Sequence, residues 1–418
     1  TGMLILAPML FKDVIGQQDV KQQLLQLVQQ NRLSHALLFL GKEGSGALPL
    51  ALAFANYVSL FSYTNANAAA VGSISLFGEA DAEVNNIAPV NESWQQADEW
   101  MQQQPAWSKA AGLVHPDIHF SYPVVPRKSG DKPLSSDYIT EWREFIKQYP
   151  YGNGYDWLQF IGAENRQGNI TAYECNDIIR KLSLKSFESR YKILLMWLPE
   201  YLGNAGNKLL KLIEEPPPDT LFLLVAENES LILPTILSRT QLVKIPALDI
   251  KDIEAALMER AKVLPEQARQ IALVSEGNYH EALQLLQHSG DDWQGILREW
   301  LNVIIKTNFI AQVKWIEEIS RHDRKKQKQF LRYFNHLLQQ SIRLQLIPGL
   351  SAQLPDAEKD FAQRLNKIAS LHQHRAIIEE LDKATYYIER NANAKILFHA
   401  LTIKLYHIIA KSEVVEMK

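Results

Sequence analysis

Apolar positions divide the chain into two kinds of sequence. Up to Ile245, short continuous apolar runs alternate with stretches of helical spacing; after Pro246 only helical spacing remains. Val20, Leu24, Leu27 and Val28 recur every three or four residues and predict a first helix. Leu37-Leu38-Phe39-Leu40 predicts a strand buried on both faces, as parallel sheets require. Pro49 suits the first turn of a helix that continues from Leu50 to Val58. Tyr173 to Leu184 predicts a helix, and Tyr191 to Trp197 a buried strand. Asn207 to Glu214 predicts a helix that Pro216-Pro217-Pro218 must end. Leu221 to Ala226 and Leu242 to Ile245 predict two more strands. Further on, Phe330, Leu331, Phe334, Leu337, Leu338 and Ile342 form one apolar stripe. Strands alternating with helices, then helices alone, imply a parallel α/β domain joined to one or two helical domains.

Two stretches interrupt the alternation. Residues 61–112 are rich in Asn, Ala, Ser, Gly and Gln and are read as an insert with Trp94, Trp100 and Trp107 as packing anchors. Residues 126–168 are read as a second, irregular insert. The opening Met3-Leu4-Ile5-Leu6-Ala7-Pro8 is too short and lacks the basic residues of a signal peptide, and Met9 is a candidate start.

Composition and charge narrow the picture a little. A chain of 418 residues has room for two or three domains. No run approaches the roughly 18 apolar residues of a membrane span, so no membrane contact is expected. The net charge of −3 offers no global field for nucleic acid, so any DNA contact is local or made through a partner. Cys175 is the single cysteine, which excludes an intrachain disulfide and a multi-cysteine zinc site and fits a reducing cytoplasm. His115 and His119 lack a third ligand in sequence, so no metal is expected there.

Candidate chemistry begins at Gly41-Lys42-Glu43-Gly44-Ser45-Gly46-Ala47-Leu48. A phosphate-binding loop reads G-x-x-x-x-G-K-[ST]; its glycines let backbone N–H groups wrap the phosphates, its Lys reaches the outer phosphates and its hydroxyl holds Mg²⁺. Gly41, Gly44 and Gly46 keep that frame between a predicted strand and a predicted helix. Ala47 stands where Lys belongs and Leu48 where Ser or Thr belongs. The loop is therefore a vestigial nucleotide cradle, and whether it retains a nucleotide by backbone contacts is left open.

Three further stretches carry a resemblance: Arg32 to Gly41, Asn204-Ala205-Gly206-Asn207-Lys208-Leu209-Leu210-Lys211-Leu212-Ile213-Glu214-Glu215-Pro216-Pro217, and Leu233-Pro234-Thr235-Ile236-Leu237-Ser238-Arg239-Thr240. Together they resemble the clamp-loader branch of the AAA+ ATPases, and within it most of all the delta-prime subunits of bacterial DNA polymerase III. The resemblance covers about 1–60 and 112–290 and, more vaguely, the helical C-terminus. It implies a RecA-like α/β domain with its two inserts at 1–247, a small helical lid at 248–290 and an all-α collar at 291–418.

It also lets the loop's defects be checked elsewhere. Active relatives end the strand before the Asn-Leu-Leu-Lys helix with an acidic pair that holds Mg²⁺; here Met196 and Trp197 occupy those places, with Glu200 nearby. The polar sensor expected after the next strand falls at Ala226 or Glu227, and His280 stands where the lid carries an Arg. No four-cysteine zinc module is present. The resemblance thus implies a subunit without ATPase activity and without a cofactor of its own.

What survives is Ser238-Arg239. In the family this Arg is offered to the γ-phosphate held by the neighbouring subunit, where it stabilises transition-state charge; Thr240 replaces the usual Cys. The implied partners are an ATPase motor subunit and a delta-like subunit, with sliding clamp and primed DNA reached through the complex, in the cytoplasm. Glu214-Glu215 at a helix C-terminus opposes the helix dipole, as an interface role or a solvated acidic turn. The basic run Arg321 to Lys328 is a solvated helix start or a DNA-facing patch. An independent ATPase for replication or repair, and a scaffold without a trans-acting Arg, are the competing readings.

Overall fold

The computed structural model describes residues 9–61, 93–128, 130–164, 166–287, 293–306, 309–346, 356–389 and 392–410. The opening segment 3–8 and most of the first insert, 62–92, lie outside them. The chain forms two compact units, Thr1–Leu283 and Gln284–Lys418.

The first unit is built on five parallel strands. In chain order they are β1 (Ala36–Leu40), β2 (Ile118–Ser121), β3 (Lys192–Trp197), β4 (Thr220–Ala226) and β5 (Gln241–Lys244), and their order across the sheet is β2-β3-β4-β1-β5. Leu38 pairs with Leu224 on one side and Leu242 on the other, so β1 is interior. Every residue of β3 and β4 is buried, the continuous pattern of a sheet covered on both faces. The first predicted helix is α1 (Gln18–Gln29), with Val20, Leu24 and Val28 on its buried side. Successive strand side chains go to opposite layers: Trp197 joins the core that contains α2 (Ala47–Leu60), and Met196 the core that contains α7 (Ala172–Leu182). All fourteen residues of α2 are buried, so this helix is the central pillar of its layer.

The architecture expected from the sequence, a parallel α/β sheet followed by helices alone, is the one observed. The helix expected over Asn207–Glu214 is present: Leu210–Glu214 (α8) is α-helical, and its first turn continues a 3₁₀ segment, Pro199–Leu209. Trp100 is buried against Tyr57 and Phe61, with ring centroids 5.8 and 6.1 Å apart, while Trp94 and Trp107 pack half-buried on the same core. These anchors sit on α3 (Trp94–Gln102) and α4 (Trp107–Ala111).

The stretch 126–168 is not irregular. It holds α5 (Ile139–Gln148) and α6 (Gly154–Phe160), and its Trp142, Phe145 and Trp157 are fully buried. Trp142 stacks on Tyr122 at 4.2 Å and lies 5.3 Å from Trp197, while the Trp157 indole donates to the Pro123 carbonyl at 2.7 Å. The many polar residues of this stretch face outward and hide a spacing, Trp142-x-x-Phe145-Ile146, that is helical.

A short α9 (Pro234–Leu237) precedes β5. After β5 come α10 (Ile250–Arg260), α11 (Pro265–Val274) and α12 (Tyr279–Gln287), within which the two units divide. The second unit continues with α13 (Trp293–Ile305), α14 (Phe309–Arg321), α15 (Arg324–Leu346), α16 (Asp356–Ile368), α17 (Leu371–Glu389) and α18 (Ala394–Ala410). Its core centres on Trp300 and Trp315, stacked at 4.7 Å, and the predicted stripe Phe330, Leu331, Phe334, Leu337 and Leu338 is buried there.

Candidate functional site

In an open parallel sheet, ligand sites gather beyond the carboxyl ends of the strands. The glycine loop leaves β1 at that end. Gly44 and Gly46 have φ of 71° and 90°, so both need the freedom of glycine, and Gly46 caps α2. The frame of glycines is kept, and the two residues that follow it, Ala47 and Leu48, are buried in the α2 layer. Gln17 donates through Nε2 to the carbonyls of Ser45 (2.9 Å) and Pro246 (2.7 Å), tying the loop to the chain that leaves β5.

Met196 and Trp197 are 0% and 2% exposed, one in each layer, and neither offers an oxygen that could hold Mg²⁺. Glu200 does not substitute for them: its Oε1 accepts from the backbone N–H groups of Glu227 (2.6 Å) and Asn228 (2.8 Å), and burial holds its carboxyl above the usual range. The Ala226 carbonyl accepts from Gly41 N at 3.1 Å. His280 lies 3.2 Å from Asp156 Oδ2 and 3.7 Å from Glu43 Oε1, through its Nε2 in both cases. Among the described residues no cluster of three or more His, Cys, Asp or Glu could hold a metal. His115 Nε2 lies 3.4 Å from Glu188 Oε1, and its Nδ1 accepts from the Asp117 N–H at 3.2 Å.

Sequence reasoning missed the residues that cover the loop. Tyr151, Asn153 and Asp156 come from the stretch read as irregular, and Asn278 and Tyr279 from the turn into α12. One signal was there: Asn153-x-x-Asp156 is a helix-starting box, with Asp156 N donating to Asn153 Oδ1 at 2.9 Å and Asn153 N donating to Asp156 Oδ2 at 3.3 Å.

Arg239 sits at the opposite end of the sheet, on the approach to β5. A five-residue strand is roughly 16 Å long, so Arg239 is remote from this chain's own loop. Pro234 opens α9, Ser238 ends it, and the Thr240 hydroxyl donates to the Leu237 carbonyl at 3.1 Å. The Thr that replaces the expected Cys is thus a local cap. Arg239 donates through Nε (2.6 Å) and Nη2 to Glu214 Oε1, and through Nη1 to the Thr235 carbonyl (2.7 Å) and Ser238 Oγ (3.2 Å). Glu214 ends α8, where it opposes the helix dipole; the guanidinium compensates it. Together with His35, Ile213 and Ser238 they line an open cleft of about 420 Å³.

Much of this geometry falls in one stretch. Residues 110–249 match the family model described as DNA polymerase III, delta subunit. Over 128 residues, 31% of this chain, the sequence is 33% identical to the DNA polymerase III subunit delta' of Bacillus subtilis (strain 168), and it covers 37% of that relative's length. The resemblance to delta-prime subunits read from the sequence is borne out over this part of the chain. Among solved structures, a DNA polymerase III gamma subunit-related protein from Thermotoga maritima aligns over 92% of this chain and 99% of its own, at 14% identity and a TM-score of 0.37. A point mutant of Thermotoga maritima RuvB aligns over 81% and 79%, at 14% identity and 0.36, and the clamp loader delta protein of Bacillus subtilis over 72% and 98%, at 14% and 0.24. At those scores nothing further is drawn from the three structures. Among the described residues no helix is long and apolar enough to cross a membrane.

Proposed function

We propose that this chain is a non-catalytic subunit of a DNA polymerase III clamp loader, working in the cytoplasm as a rigid stator beside an ATPase motor subunit and a delta-like subunit. In this reading 1–247 is the AAA+ domain, 248–290 the lid and 291–418 a collar that joins the ring. The complex opens a sliding clamp and sets it on primed DNA, and Arg239 reaches the nucleotide of the neighbouring subunit. One observation carries the reading: the Arg lies on an open cleft at the end of the sheet away from a loop that is filled by its own chain. An Arg so placed serves only a nucleotide that another subunit brings.

The chemistry is charge stabilisation. A guanidinium with fixed donors lowers the barrier of phosphoryl transfer without itself changing covalently. Ser238 and Thr235 hold one arm of Arg239 in place, and Glu214 keeps the other two donors occupied until a phosphate competes for them.

The test is Arg239→Ala in the reconstituted complex, measured as ATP hydrolysis in the presence of clamp and primed DNA. A loss of about 10²-fold or more at the affected site, with assembly intact, is expected of an arginine supplied in trans. An unchanged rate with intact assembly selects the scaffold reading instead. That second reading has one observation in its favour, since Arg239 already has a carboxylate partner in Glu214. The independent-ATPase reading has Ala47, Leu48, Met196 and Trp197 against it, all buried.

A further inference from the structure

We propose that Tyr151 to Asp156 of the second insert, together with Asn278 to His280 at the start of α12, form a built-in plug over the glycine loop, and that this plug keeps nucleotide out independently of the missing Lys and hydroxyl. The proposal rests on the reading of the chain as ATPase-inactive and gives the insert a task.

The loop apex is covered from one side by the turn into α12. Tyr279 N donates to the Gly44 carbonyl at 3.2 Å. The Asn278 side chain is fixed by accepting from Glu281 N at 3.0 Å, and it stands so close that a Cβ added to Gly44 would fall 1.8 Å from its Oδ1. From the other side the Tyr151 ring stands against Gly46, 3.3 Å from where a Cβ would be. Its hydroxyl accepts from Ile15 N at 2.7 Å, and its ring meets Tyr279 edge-on with centroids 5.0 Å apart. The two halves of the plug are therefore joined over the loop.

Polar side chains join the same two halves. Glu43 and Asp156 flank the His280 ring beside the loop, and Asn153 Nδ2 lies 3.5 Å from the same ring nitrogen. Phosphate-binding loops succeed by pointing uncompensated N–H dipoles and a Lys at an anion. A triphosphate would have to displace an aromatic ring and break a backbone hydrogen bond.

The experiment uses the full chain in four forms: wild type, Tyr151→Leu with Asn278→Ala, Ala47→Lys with Leu48→Thr, and the combination. Calorimetric titration with Mg-ADP and Mg-ATP is expected to show no binding for the Ala47→Lys, Leu48→Thr form up to about 1 mM. The combination is expected to bind at least tenfold more tightly, at about 100 μM or below. Amide hydrogen exchange is the second measurement. In wild type the amides of 43–48 are expected to exchange at least about tenfold more slowly than those of the open turn at Gly162, and to lose that protection in the Tyr151→Leu, Asn278→Ala form. Binding at about 100 μM with the plug intact overturns the proposal. So does a folded combination that fails to bind, or a wild-type loop that exchanges as fast as the Gly162 turn. If the combination does not fold, the wild-type exchange decides alone. Hydrolysis of ATP by the wild-type chain would instead sink the stator reading, a separate outcome.

Discussion

The same strands end in opposite environments. At their carboxyl ends, β1, β3 and β4 run into a region closed by packing: Ala47, Leu48, Met196 and Trp197 are all buried, and Tyr151 roofs the loop. At their amino ends the surface stays open, with Arg239 and Glu214 side chains 31% and 45% exposed on a cleft. In the first region, the positions where the proposed reading looks for catalytic groups belong to the core. In the second, an ion pair sits on the surface, where such pairs commonly add little to stability. Residues held at the surface at no structural gain are where an external partner is to be sought.

The largest effect that can break this contrast is restoration of the acidic pair. Met196→Asp with Trp197→Glu puts two unpaired carboxylates into fully apolar surroundings, Trp197 being packed against Trp142 and Phe145. We expect a loss of at least about 4 kcal/mol, read as a lower urea midpoint or as insoluble protein, and no ATP hydrolysis. A variant that keeps its midpoint would mean the closed end is not structural. Trp142→Ala tests the same core without charge and should cost about 3–5 kcal/mol, since a fully buried indole leaves a cavity.

A smaller effect sharpens the contrast through pH. Asp98 of α3 accepts from the N–H groups of Phe11 (2.9 Å) and Lys12 (2.8 Å), and burial raises its carboxyl to about 6. Burial also lowers the Lys21 ammonium, which lies 4.7 Å over the Trp94 ring, to about 8. A raised carboxyl favours the folded state where it is protonated in both states, and that contribution is lost as pH rises through about 6. A lowered ammonium favours it at high pH, and that contribution is lost as pH falls through about 8. Wild type should therefore gain about 2 kcal/mol relative to Asp98→Asn between pH 7 and pH 4.5, measured by urea unfolding at both. A difference that stays constant with pH would show that Asp98 is solvated and α3 loosely held.

The sequence made the open end more legible than the closed one. Arg239 and Ser238 lie in a local motif, Pro-Thr-Ile-Leu-Ser-Arg, whose own short helix presents the side chain; nothing distant is needed to place it. The glycine frame and the substitutions at Ala47, Leu48, Met196 and Trp197 were equally readable, because each is a statement about one residue type at one position. Tyr151 against Gly46 and Asn278 against Gly44 join residues far apart in the chain, and no spacing rule connects them. The second insert was misread because its outward polar residues mask Trp142, Phe145 and Trp157, which pack on one another and on Tyr122 and Trp197, outside the insert.

The smallest expected effect lies at the open end, and its smallness is what makes it useful. Glu214→Gln and Arg239→Ala each remove a pair between half-exposed side chains, which double-mutant measurements place near about 0–1 kcal/mol. Each should change the stability of the isolated chain by less than about 0.5 kcal/mol. Calorimetric or optical melting of the two variants checks this. A loss well above about 1 kcal/mol in either would mean the pair clamps α8 to α9, and any rate loss in the assembled complex could then be traced to a disturbed surface. With stability unchanged, a rate loss caused by Arg239→Ala belongs to the guanidinium itself. The two ends of the sheet then differ as proposed, one carrying the chain's stability and the other its chemistry toward a neighbour.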